Sequence, residues 1–383
     1  MKQLLFSLLL LSFSSIFIPS IVHAEDGHPS VVKLRLIETT DLHGHIYGYD
    51  YKNLKEVYSY GFVRTATLIQ RARYQSDNHL LFDVGDAIVG SPLAKYVHKS
   101  HPISIPDLHP VYHAMNALQY DAATLGNHEF NYGLNFLSSS LKSAKFPIVN
   151  ANIVLEGDNN FPIDDIPFLN PYTIIEKKVV DTEGEIHSLK VGVIGLITPV
   201  TAIWDDEHFK GNLKIKNIQE TAERLVPIIK SHGADIIVAL AHVGLEPDKQ
   251  LKEKEGNSVV DLSKVDGIDA ILYGHSHKRF PDSLEDIPKD PNVNFVTGTI
   301  NVVPAVQAGK WGNHIGIIDL TLQKQDDKWL IVDYQSDLES IYKTVNDVTY
   351  PTVPMNKTIF MEFQKLHKEA IDAVKNGQIK PKK

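Results

Sequence analysis

The sequence predicts an α/β fold, and three observations predict it. Short apolar runs of buried-strand type recur, stretches of helical spacing separate them, and polar residues gather where the runs stop. The first run, over 34–45, shows the pattern in full, ending in Thr39, Thr40, Asp41, Leu42, His43, Gly44 and His45. The carboxyl end of a strand is where such a protein keeps its ligand. Asp41 and His43, two apart, can turn to one side there, and a carboxylate with an imidazole suits a divalent transition metal. Taken alone, the pair reads more readily as a turn-forming Asp beside an unrelated His.

The remaining elements follow in order. A Tyr-rich loop over 48–60 leads to a helix over 62–74. Residues 80–84 form a short buried-type strand that stops at Gly85-Asp86. A helix over 107–118 precedes a strand over 122–125, which delivers Gly126-Asn127-His128-Glu129-Phe130-Asn131. A helix over 133–145 and a short strand over 147–152 continue the β, loop, α repetition. Residues 173–180 and 186–194 read as a hairpin closed by Asp181-Thr182-Glu183-Gly184. An amphipathic helix over 218–231 contains Pro227, a candidate kink. Strands over 235–240 and 270–273 then deliver Ala241-His242-Val243-Gly244 and Gly274-His275-Ser276-His277. The runs 294–297, 302–307, 314–322 and 329–334 suggest a mainly antiparallel closing sheet, and 358–374 a final helix.

Bulk properties narrow the function. A net charge of −9 argues against a surface that coats nucleic acid, and an anionic substrate needs local cationic help. No cysteine occurs, which excludes disulfides and lipid-modified cysteines. Residues 1–24 have the features of a secretory signal peptide: Lys2, an apolar stretch over 4–18, and Val22-His23-Ala24 as the cleavage pattern. The expected organisation is a signal peptide (1–24) cut after Ala24, one catalytic domain (25–355), and a C-terminal helix with a basic tail (356–383). The product would be periplasmic or secreted, with no membrane attachment.

Five strand ends carry metal-competent residues: Asp41 with His43, Asp86, Asn127 with His128, His242, and His275 with His277. One histidine after a strand is usually an ordinary loop residue, but five such ends on one edge of a sheet form a pattern. Two sites can be filled from them. One takes Asp41, His43, Asp86 and His277, the other Asp86, Asn127, His242 and His275, so Asp86 bridges. Paired cations about 3.5 to 4 Å apart clamp the attacking and leaving oxygens of a displacement at phosphorus. Oxygen and nitrogen donors without thiolate point to manganese, iron or zinc. Nucleophilic serine or cysteine chemistry is excluded, since no G-x-S-x-G and no cysteine occur.

These residues resemble the calcineurin-like metallophosphoesterases, and within them the secreted 5'-nucleotidase group. Residues 34–46 are similar to that group's first signature, and 120–131, ending Gly-Asn-His-Glu-Phe-Asn, to its second. Val63-Arg64-Thr65-Ala66, Gly90-Ser91-Pro92-Leu93-Ala94, Val303-Pro304-Ala305-Val306 and Trp311-Gly312 resemble the branch of bacterial 2',3'-cyclic-nucleotide 2'-phosphodiesterase/3'-nucleotidases. The likeness runs over about 32–333. It implies a four-layer α/β/β/α sandwich in a single catalytic domain, with the dimetal site at its apex. It implies attack by a metal-bound hydroxide on a small nucleotide or related phosphate ester, Asn127 and His128 contacting that substrate. His128 would stabilise the transition state and protonate the leaving oxygen, oriented by Asn131, where many 5'-nucleotidases carry an Asp. An uncharged Asn131 would hold His128 less strongly as imidazolium.

Other readings follow from the same resemblance. Enzymes of this family add a C-terminal base-binding domain, whereas this sequence ends near the linker helix, so another chain would supply that domain. Tyr47, Tyr49 and Tyr51 offer a stacking surface or pack over apolar neighbours, and His45 lines the substrate mouth or is a plain loop residue. A 5'-nucleotidase or low-selectivity phosphomonoesterase is the near alternative. A non-catalytic binding or host-interaction protein that keeps the fold is the distant one.

Overall fold

A computed structural model describes residues 30–100, 109–156, 166–282, 290–326 and 328–381. The signal peptide, its cut after Ala24, and the first residues of the helix expected over 107–118 lie outside them. Val31–Thr39 is a strand whose alternate side chains part company: Val32, Leu34 and Leu36 enter one core and Ile37 another. It pairs in parallel with His79–Asp83, which pairs in parallel with Ala122–Ala123. On its other side it pairs antiparallel with His314–Gln325, and that strand with Lys328–Ser340, completing a five-stranded sheet.

A second sheet is parallel through its centre. Ile186–Ile197, Ile236–His242, Ala270–Tyr273 and Val303–Ala308 run side by side, and Tyr172–Val180 returns antiparallel on the outer edge of Ile186–Ile197. The expected hairpin is therefore present, its Gly184 at φ 91°.

The two sheets lie face to face. Leu34, Leu36, Leu80 and Phe82 of the first share a buried cluster with Val191, Val193, Val238, Leu240, Leu272 and Val306 of the second. The first sheet's outer face, through Ile37, Leu81 and Ala123, packs beneath the helices Phe62–Tyr74, Pro110–Ala117 and Lys357–Lys375. The second sheet's outer face, through Ile194, Ile237 and Ile271, packs against Ile218–Ser231. Helix, sheet, sheet, helix is the four-layer sandwich that the resemblance implied.

Several expectations need correction. The late runs do not close one sheet: Val303–Ala308 joins the second sheet in parallel, while His314–Gln325 and Lys328–Ser340 join the first. A strand's apolar pattern says that it is buried, not which neighbour buries it. The strand expected over 147–152 is reduced to one bridge, Ala123 with Ile148, and the paired segment is Ile153–Leu155. The 48–60 loop contains a small hairpin, Tyr49–Asp50 with Lys55–Glu56, and a helix, Pro92–Ser100, lies where none was expected. Above all, the five strand ends do not share one edge. Three belong to the first sheet and two to the second, brought together because the sheets stack. Among the described residues no helix is long and apolar enough to cross a membrane.

Candidate metal centre

Loops of the first sheet bring in Asp41 and His43 after Val31–Thr39, Asp86 after His79–Asp83, and the turn Asn127–Phe130 after Ala122–Ala123. From the second come His242, the last residue of its strand rather than a loop residue, and His275 with His277 after Ala270–Tyr273. Asp41, His43, Asp86, His275 and His277 have φ of 51°, 48°, 55°, 73° and 60°. Left-handed backbone at a side-chain-bearing residue costs on the order of 1 kcal/mol or more, and persists where surroundings enforce it. Here loop hydrogen bonds enforce it: Asp41 N–H to Gly85 C=O at 2.9 Å, His43 N–H to Asp86 C=O at 2.7 Å, and Trp311 N–H to Asp41 C=O at 2.7 Å. Gly126 is required for a different reason, because a Cβ there would strike the Asp86 carboxylate.

Asp41, His43, Asp86 and His277 present ligand atoms that all lie within 4.8 Å of one another. His277 Nε2 stands 3.3 Å from Asp41 Oδ1 and 3.0 Å from His43 Nε2. Asp86 Oδ2, 3.6 Å from His43 Nε2, also stands 3.3 Å from His242 Nε2, and Asn127 Oδ1 lies 2.9 Å from His275 Nδ1. The second predicted set is thus adjacent to the first, with Asp86 between them.

The donors fit divalent cations on three counts. Asp41 Oδ1 and His242 Nε2 are buried without a hydrogen-bond partner among the described residues, an arrangement a metal satisfies. His43 and His242 each direct Nδ1 at a backbone carbonyl, of Val89 at 2.9 Å and Val84 at 2.7 Å, which leaves Nε2 for a ligand. His275 reverses this, its Nε2 meeting Asp248 Oδ1 at 3.1 Å so that Nδ1 faces Asn127. Electrostatics agrees. Burial opposes charge on His242, yet Asp86, Asp41 and Glu129 raise it to about 10, so the pocket demands positive charge. Burial likewise opposes ionisation of Asp86, but His242, His43 and His128 hold it well below the usual carboxylate range.

His128 borders this cluster, its ring centroid 5.1 Å from that of His43. Its Nδ1 meets Asn131 Oδ1 at 2.6 Å, and Asn131 Nδ2 donates to Asp205 Oδ1 at 3.0 Å. The charge missing from Asn131 is therefore present one residue further out. A cavity of about 660 Å³ opens over His43, His128 and His277, with His45, Tyr49, Tyr60, Tyr132 and Trp311 on its walls. His45 stacks on Trp311 at 4.4 Å and does line this mouth. Tyr47 and Tyr51 are largely buried, closing on His367 of the last helix, and Tyr51 also borders the cavity.

Three supporting carboxylates escaped the sequence reading. Glu129 accepts from the N–H groups of Asp86, Ala87, Ile88 and Gly126, tying two ligand loops together. It stood inside a quoted motif, so its position was visible though its work was not. Asp205 and Asp248 lie in segments with no strand-end signature, and only tertiary packing brings them in.

A carboxylate shared between imidazoles of two stacked α/β sheets defines the class as a metallophosphoesterase. The chain belongs to the calcineurin-like phosphoesterase family, whose profile matches residues 34–279. It is 40% identical, over 92% of its length, to the trifunctional nucleotide phosphoesterase protein YfkN of Bacillus subtilis (strain 168), covering 23% of that protein. It is 41% identical, over 82% of its length, to a 2',3'-cyclic-nucleotide 2'-phosphodiesterase/3'-nucleotidase of Haemophilus influenzae, covering 46% of it. The crystal structure of calcineurin-like phosphoesterase YfkN from Bacillus subtilis superimposes with a TM-score of 0.80 at 40% identity, covering 90% of this chain and 99% of that one. The chain thus spans half or less of the curated relatives it matches, and those relatives are longer single chains. They give no support to a base-binding domain supplied by a separate chain.

Proposed function

We propose that this chain is an exported phosphohydrolase that cleaves nucleoside phosphate esters, 2',3'-cyclic and 3'-phosphates ahead of 5'-phosphates. The observation that carries this reading is Asp86, whose Oδ2 lies 3.6 Å from His43 Nε2 of a first-sheet loop and 3.3 Å from His242 Nε2 of the second sheet. The 40% likeness to a trifunctional nucleotide phosphoesterase and 41% to a cyclic phosphodiesterase/3'-nucleotidase support the substrate class. Asp41, His43, Asp86 and His277 would hold one cation and Asp86, Asn127, His242 and His275 a second, manganese, zinc or iron by donor type. When bound, two such cations neutralise phosphoryl charge and acidify water.

The chain's own residues do the rest. His128, with Nδ1 engaged by Asn131, keeps Nε2 for the cavity and gives its proton to the leaving ester oxygen as the P–O bond breaks. Asn127 and His128 contact the phosphate, and the aromatic walls of the cavity, Tyr49, Tyr60, Tyr132 and Trp311, offer the rest of the ester an apolar surface.

The test is direct. The chain beginning after Ala24 is purified, supplied with manganese, and offered 2',3'-cyclic AMP, 3'-AMP, 5'-AMP and an aryl phosphate. Release of phosphate or of 3'-AMP supports the reading, and inertness toward all four overturns it in favour of a binding protein.

A further inference from the structure

We infer that Asp205 is a positioning residue for His128, acting through Asn131. The inference starts from what each group can donate. A carboxylate only accepts, whereas an amide has one accepting and one donating end. Asp205 therefore compels Asn131 to turn Nδ2 outward, at 3.0 Å from Oδ1 and 3.3 Å from Oδ2. The amide oxygen is then left facing His128 Nδ1 at 2.6 Å, so Nδ1 must carry the hydrogen. Were the amide reversed, its oxygen would meet the carboxylate and its NH₂ the ring. Asp205 thus decides which ring nitrogen is committed to the protein and which serves the cavity.

The relay is braced. Asp205 is 8% exposed and sits between two short helices, Thr201–Trp204 and Asp206–Phe209. Phe209 packs on Phe130 at 4.8 Å between ring centroids, and Phe130 closes the turn that carries His128. Trp204, next to Asp205, lies 5.7 Å from the ring of His275. One short segment therefore touches both the proton-donating and the ligand-bearing sides of the site.

The kinetic consequence rests on the phosphohydrolase reading; the tautomer consequence does not. In Asp205→Asn the amide of Asn131 is free to flip, and His128 loses its imposed hydrogen. The kcat for 3'-AMP, whose leaving ribose oxygen is a poor leaving group that needs a proton, should fall roughly 10- to 100-fold with KM little changed, the range for an outer partner of a working residue. The loss for an aryl phosphate with an acidic leaving group should be several-fold smaller. The exchanged double variant N131D/D205N puts the carboxylate against Nδ1 and the amide behind it, and should regain most of the lost rate. Independently, ¹⁵N NMR of histidine-labelled protein with zinc added, with the His128 resonance assigned by H128Q, should show the Nδ1–H form in the natural chain and its loss in D205N. An unchanged His128 tautomer in D205N, or equal rate losses on both esters with no recovery in the double variant, overturns the assignment. Should the natural chain hydrolyse no phosphate ester, the NMR comparison still decides the role of Asp205.

Discussion

The Asp86 carboxylate stands 3.3 Å from His242 Nε2, so a loop of the first sheet meets the last residue of a strand in the second. Both groups are buried, at 1% and 0% exposure. A lone carboxylate there would be costly, and the pairing of sheets is what gives it partners. Asp86→Ala should consequently strip metal from both predicted sets, not from one. Metal analysis after dialysis should show affinity reduced beyond the 10- to 100-fold typical of an outer-shell change. Retention of one ion per chain would contradict the bridging role.

His128 touches the cluster without belonging to the set of ligand atoms around Asp41. His128→Ala should slow turnover of 3'-AMP by roughly two to four powers of ten. Metal content should stay as in the natural chain. A parallel fall in both would make His128 a ligand rather than a proton donor.

Glu129 accepts four backbone N–H groups through two oxygens, at 2.6 to 3.2 Å. Only a carboxylate can do so. Glu129→Gln sets an NH₂ against two of the N–H donors, and the expected cost is at least about 3 kcal/mol in urea unfolding. Because the same loops carry Asp86 and Asn127, metal affinity should weaken with it. A stability within about 0.5 kcal/mol of the natural chain would show that the loops hold by other means.

His109 is buried beside Tyr112 and Phe136, and neither ring nitrogen has a partner among the described residues. Burial lowers its pKa to about 3. A histidine depressed in the folded state is protonated first in the unfolded chain. Its neutral form therefore supports folding fully above the ordinary value near 6.5, and that support is lost as pH falls from there toward 3. The whole effect is on the order of 5 kcal/mol. His109→Leu should flatten the acid limb of the stability curve between those values, measured by urea titration at several pH values. An unchanged limb would assign acid lability elsewhere.

Much of this site was readable before any fold was known. Strand ends advertise themselves, since an apolar run that stops at Gly-Asp, Gly-Asn-His or Gly-His-Ser-His is a local event, written in neighbouring residues. The helix over 218–231 was equally local, its apolar spacing lying within a few turns. Segments whose partner is remote were misread. The run 302–307 promised a strand of an antiparallel sheet; it keeps antiparallel partners in Thr299–Ile300 and Arg279–Phe280 but lies parallel to Ala270–Tyr273, which joins it to the second sheet. Asp205 and Asp248 were silent because nothing near them in sequence distinguishes a carboxylate that turns inward.

The sequence by itself determined the candidates: carboxylate, amide and imidazole side chains of a kind that suits divalent metal, gathered where apolar runs stop. Tertiary structure alone decided that these ends come from two sheets rather than one edge, and that Asp86 faces imidazoles from both. It also decided that an uncharged Asn131 is backed by a carboxylate. The physical reason is range. Periodicity and turn chemistry act over a few residues, whereas stacking two sheets through Leu34, Phe82, Val193 and Leu240 joins positions that no local pattern relates.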